Sequence, residues 1–202
     1  MRLIKRCIAF CLFLAVCAGI YTLSADKQRL RDDVIRLHVV GASDTAQDQQ
    51  IKLQVRDAVL QAVQRGVESL PDAEAAKAFL QSSLQRIEAE ANEALERAGV
   101  KDRATVSLQR EHFDTRVYDT FTLPAGIYES LRVTIGAGEG KNWWCVVFPA
   151  LCTGATVEET EDIAAGAGFS DSLSGAMGGE PQYRIRFFLL DLWGKLEKFF
   201  GK

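Results

Sequence analysis

Proline is scarce, at four in 202 residues, and no strict repeat runs through the chain. That excludes collagen-like and solenoid architectures. Five cysteines are too few for a miniprotein built on disulfides. There is no excess of positive charge: 24 Lys+Arg stand against 27 Asp+Glu, a net charge of −3. A broadly basic nucleic-acid binder is therefore excluded. The GxSxG and HExxH catalytic spacings do not occur. What is present is core-forming matter, with 48% hydrophobic and 25% charged residues, enough for one domain with tails.

The charge is unevenly placed. Arg2, Lys5 and Arg6 precede a stretch, Cys7 to Leu23, that carries no charge at all. Its 17 residues are short for a membrane span of about 20. They suit the apolar part of a secretory signal over residues 1–25, with Leu23-Ser24-Ala25 as the cleavage region. An uncleaved signal anchor is the rival. Either way, the chain beyond Ala25 is exported. Removing residues 1–25 takes away three basic residues and no acidic ones, leaving 21 against 27, a net −6. It also leaves only Cys145 and Cys152. Two cysteines in an oxidising compartment invite a disulfide; two buried free thiols are the other reading.

Residues 34–40 alternate as a strand, with Ile35, Leu37 and Val39 on one face and Arg36, His38 and Val40 on the other. Ser43, Asp44 and Thr45 are N-cap candidates, and Thr45 with Asp48 resembles a capping box. A helix comes next, striped by Ile51, Val55, Ala58, Val59 and Ala62, with Gly66 as its expected stop. Pro71-Asp72 opens a second helix that Gly99 ends. A short link makes the two antiparallel. Beyond Gly99 the apolar period changes from 3.6 to 2 through Val106, Leu108, Leu131, Val133 and Ile135, ending in the apolar run Trp143–Phe148. The expected fold is α+β: an antiparallel sheet of about five strands, joined as a meander and covered by the helix pair, over residues 26–160.

Residues 161–182 form a Gly/Ser-rich linker. Residues 183–202 are apolar again, with five basic and two acidic residues. They read either as a strand and helix docking back on the core or as a basic amphipathic helix on anionic lipid.

Gly136-Ala-Gly-Glu-Gly-Lys141 is not a phosphate loop. The required first Gly is Ile135, Asn142 comes after the Lys, and a strand rather than a helix is next. It reads as a Gly-rich hairpin loop. Cys145 with His38 or His112 would make a thiol hydrolase, but its Trp-Trp-Cys-Val-Val-Phe setting raises a thiol pKa. No two of these Cys and His have zinc-knuckle spacing. No cofactor, metal or catalytic residue is expected. In a strand, Trp143 and Trp144 point to opposite faces, so one enters the core and the other needs a helix layer or a partner.

Val34-Ile-Arg-Leu-His-Val-Val-Gly-Ala-Ser-Asp-Thr45 and Asp48–Val59 resemble the opening block of the stage II sporulation protein R family. Leu131-Arg-Val-Thr-Ile-Gly136 and Lys141-Asn-Trp-Trp-Cys-Val-Val-Phe-Pro-Ala-Leu-Cys152 resemble its second block, with Ala150 where Pro is expected. The resemblance implies a signal rather than an enzyme. Such proteins are made in the forespore and exported into the intermembrane space of the septum. There they trigger a membrane-embedded aspartic protease of the mother cell, which processes a sigma-factor precursor. His38, Asp44, Asn142, Trp143 and Trp144 are the expected partner-binding residues, lying near one surface, and Cys145 with Cys152 the expected disulfide. An exported Cys/His hydrolase and a membrane-surface adaptor working through residues 183–202 are the alternatives.

Overall fold

The computed structural model describes residues 2–118, 120–151 and 184–200. Its elements, in chain order, are α1 (Arg2–Asp33), β1 (Ile35–Val40), α2 (Ala46–Val67), α3 (Ala73–Arg97), β2 (Ala104–Phe113), β3 (Arg116–Val117), β4 (Thr122–Leu123), β5 (Gly126–Ile135), β6 (Asn142–Phe148) and α4 (Arg184–Phe200). The fold is α+β, as the periodicities imply. The expected 161–182 linker and Cys152 lie outside the described residues.

Local chemistry sets the helices. Thr45 caps α2, its hydroxyl accepting the Asp48 N–H at 3.2 Å. Asp72 caps α3 through the Ala75 N–H at 2.8 Å, so Pro71 sits before the cap and not in the first turn. Gly99, at φ +71°, closes α3. Gly66 does not stop α2, which runs on to Val67. A Cβ there would lie 2.2 Å from the Phe79 ring of α3, so the glycine serves helix contact instead.

The sheet differs from the expected antiparallel meander. Its order is β2-β5-β1-β6, with a separate β3–β4 ribbon. β1 lies in the middle, parallel to β5 and antiparallel to β6. All six β1 residues are buried, as a central strand requires. The Gly136–Lys141 segment is therefore not a hairpin loop, because its flanking strands do not pair. It arches over the end of β1: Gly140 N–H donates to Gly41 O at 2.9 Å and Gly41 N–H to Lys141 O at 3.4 Å. A Cβ on Gly140 would meet Ser43 O at 2.4 Å, which explains the glycine.

Each sheet face carries its own core. Leu37, Val39, Leu131, Val133 and Cys145 pack under α2 and α3. On the other face Val34, Phe113, Tyr128 and Val146 pack with Leu30 of α1 and Leu190 of α4. α4 is held by Asp191, whose carboxylate accepts from the Ala125 N–H at 3.0 Å and from the Thr115 hydroxyl. α1 runs unbroken through Leu23-Ser24-Ala25. Its last turns dock, while Phe10, Leu12, Phe13, Val16 and Ile20 are exposed. By length and composition this helix suffices to cross a membrane, and it also fits a signal sequence.

Candidate functional site

The second face of the sheet is only half covered. α1, α4 and the ribbon close the end around Tyr128, and the other end opens into a cleft of about 390 Å³. Its walls include His38 of β1, Glu111 of β2, Arg132 of β5, and Asn142 and Trp144 of β6, with Arg116 of the ribbon at the rim. The register brings them together: His38 lies opposite Arg132 on one side and Trp144 on the other.

One carboxylate organises this cleft. Glu111 accepts from His38 Nδ1 at 2.8 Å and from Arg132 Nη1 at 2.6 Å. Burial pushes its pKa up, but the hydrogen bonds from His38 and Arg132 outweigh that and hold it at about 2. Its charge is therefore permanent at neutral pH. His38 Nε2 meets Asn142 Oδ1 at 3.0 Å, and the imidazole stacks on Trp144. With Nδ1 and Nε2 both engaged, His38 is a clamped wall residue.

Two guanidinium groups lie beside it. Arg36 is wholly buried between the rings of Phe113, 4.0 Å from its centroid, and Tyr128. It donates to the Tyr118 hydroxyl at 2.8 Å, but its Nε and Nη1 have no hydrogen-bond partner. Arg116 lies 3.6 Å above the Trp144 ring, and its Nε is likewise buried and unpartnered. Among the described residues neither forms a salt bridge. Burial lowers the Arg36 pKa, and the charge of Arg116 lowers it further.

Three of the five expected partner-binding residues, His38, Asn142 and Trp144, meet in this cleft. The other two do not. Trp143 points to the opposite face and packs against the helix-covered core, with the Arg56 guanidinium 4.9 Å from its ring centroid. Asp44 sits in the β1–α2 loop and accepts the Lys141 N–H at 2.7 Å, tying the glycine arch down. Sequence reading missed Glu111, Arg116 and Arg132. A charge within a strand pattern reads as a solvated face, and only their shared face with His38 could mark them.

Among the described residues no Cys/His pair assembles. Cys145 lies opposite Leu37 and faces the helices, whereas His38 faces the cleft. His112 is on β2, at the far edge of the sheet from β6. The thiol-hydrolase alternative is therefore corrected by strand alternation. The described residues hold no group of three His, Cys, Asp or Glu able to bind a metal.

Comparison with known proteins agrees with the two sequence blocks. The model of the family described as Stage II sporulation protein R matches residues 31–158. Stage II sporulation protein R of Bacillus subtilis (strain 168) is 39% identical over 136 residues, covering 65% of this chain and 61% of that protein. The chain thus spans about three fifths of the length of that curated relative. No solved structure matches. With more than half of its residues matched by the family model, the chain belongs to the stage II sporulation protein R family.

Proposed function

We propose that the chain is an exported signal of endospore formation. It leaves the forespore, enters the space between the septal membranes and activates a membrane-embedded aspartic protease of the mother cell. That protease then processes a sigma-factor precursor. Family membership carries the reading, and the N-terminal apolar helix is compatible with export or anchoring. Activation needs no chemistry from this chain. A domain that binds one state of the protease better than another shifts its population by that difference in affinity. The cleft around His38, Asn142 and Trp144 is the surface we assign to this contact. A Cys145–Cys152 bond would brace the end of β6 behind it. Co-expression of this chain, the protease and the sigma-factor precursor in a non-sporulating host tests the reading. Processing should appear only with all three; its absence would sink the proposal.

The outer side of α4 favours a membrane contact in addition. Phe188, Leu189, Leu192, Leu196 and Phe199 are all exposed and fall within one stripe of about 100°. Leu190, Gly194 and Asp191 occupy the docked side. Lys27, just beyond the charge-free stretch of α1, pairs with Glu197 at 2.9 Å and lies over Trp193. The stripe is thus within reach of a membrane that α1 enters. Protein freed of residues 1–25 should float with anionic liposomes, and lose this on serine substitution of Leu192, Leu196 and Phe199.

A further inference from the structure

We infer that the Trp144 cleft binds the carboxylate of an acidic polypeptide segment, with Arg116 as its counter-charge. The inference deepens the proposed function, since it names the chemistry the partner must present at the same surface.

Among the described residues, two cations at this face of the sheet form no ion pair with a carboxylate. A buried guanidinium is ordinarily paired with one, because removing its water without replacement is costly. Here Glu111 serves His38 and Arg132, and Asp114 serves Lys198 at 2.7 Å. Asp114 lines the same cleft and feels the charge of Arg116, but its ion pair is with Lys198, and no described carboxylate forms an ion pair with Arg116 or Arg36. The two cations lie over the aromatic rings of Trp144, Phe113 and Tyr128, which stabilises charge without using up N–H donors. The Arg116 Nε–H is therefore withdrawn from water, oriented and unused. A planar guanidinium fork matches a carboxylate in two-point geometry. The Asn142 side chain stands across the same cleft and supplies a neutral polar contact. A space of about 390 Å³ takes a side chain with its neighbouring peptide units, more than a lone inorganic anion requires.

The test uses the full chain in detergent. Its probes are a short peptide with one central Glu, the same peptide with Gln, and inorganic phosphate. Binding is followed by the Trp144 indole N–H resonance and by calorimetry. The Glu peptide should bind saturably and at least about tenfold more tightly than the Gln peptide, as a charge-assisted hydrogen bond implies. Arg116→Gln should remove that preference, while Arg116→Lys keeps part of it. Thermal unfolding of both variants checks that the fold is intact. Equal binding of the two peptides, no binding at millimolar concentration, or a preference that survives Arg116→Gln overturns the inference. Phosphate binding through Arg116 without peptide binding overturns it too, leaving a free-anion site. Failure of the proposed function looks different: the Glu peptide binds, yet co-expression gives no precursor processing.

Discussion

His38 and Trp144 lie opposite each other in the antiparallel β1–β6 register, and their rings stack with centroids 5.6 Å apart and 22° between planes. The Trp144 ring also carries the Arg116 guanidinium, whose central carbon lies 3.6 Å from its centroid. Its neighbour Trp143 has no part in that stack. One residue step along a strand separates a cleft wall from a core contact.

The two tryptophans should therefore part company on substitution. Trp144→Ala should abolish activation of the protease while costing the fold on the order of 1 kcal/mol, since Trp144 is only partly buried. Trp143→Ala should cost about 1–3 kcal/mol through lost packing against α2 and leave peptide binding unchanged. Chemical denaturation together with the co-expression assay separates the two effects. Equal signalling by both variants would remove Trp144 from the contact.

Glu111 gives the fold a signature in acid. Its folded pKa of about 2 is below its ordinary value of 4.5. Between those values the unfolded chain binds more protons than the folded one, so stability rises with pH there. The contribution is complete above about pH 4.5 and is lost as pH falls toward 2, with an upper bound of about 3 kcal/mol. Glu111→Gln should flatten the urea midpoint across this window relative to the parent. It should also lower stability at pH 7 by about 1–3 kcal/mol, because His38 and Arg132 lose their shared anion.

Asn92 staples α3 to the edge of the sheet. Its amide donates to Glu88 O at 2.7 Å and to Ala104 O at 3.0 Å, and its carbonyl accepts the Ala104 N–H at 3.0 Å. Asn92→Leu keeps the branched shape but leaves both backbone groups of Ala104 unpaired in a buried place. We expect a loss of about 2 kcal/mol and faster amide exchange at Ala104, read by NMR.

Gly194 fixes how closely α4 approaches the sheet. An added Cβ would stand 1.7 Å from Ala125 O, which is backbone and cannot move aside alone. Gly194→Ala should loosen α4, break the Asp191 contact to the Ala125 N–H and open the chain to protease near Leu190. Resistance equal to the parent would show that α4 is not seated this way.

Much of the helical half of the molecule was legible from residues close together in the chain. The Thr45 cap, the stripe Ile51, Val55 and Val59, and the end at Gly99 each act within a few residues. Gly66 misled because a local rule cannot see Phe79 arriving from the next helix. The family was legible for a related reason: its two blocks are contiguous runs at β1–α2 and β5–β6. The faces of β1 were legible too, since alternation alone separates Leu37 from His38.

Tertiary structure decided where those faces point and what meets on them. Strand order is set by non-local pairing, and nothing local in Ile35–Val40 says that it will insert between β5 and β6. That insertion puts His38 2.8 Å from Glu111, 73 residues away, and 3.0 Å from Asn142, 104 residues away. It turns a glycine run from a hairpin into an arch, sends Cys145 away from His38, and buries Arg36 against Phe113 and Tyr128. The sequence by itself determined the helices, the strand faces and the family, because those depend on neighbours in the chain. The cleft and its guanidinium groups depend on which strands lie side by side, and only the folded chain decides that.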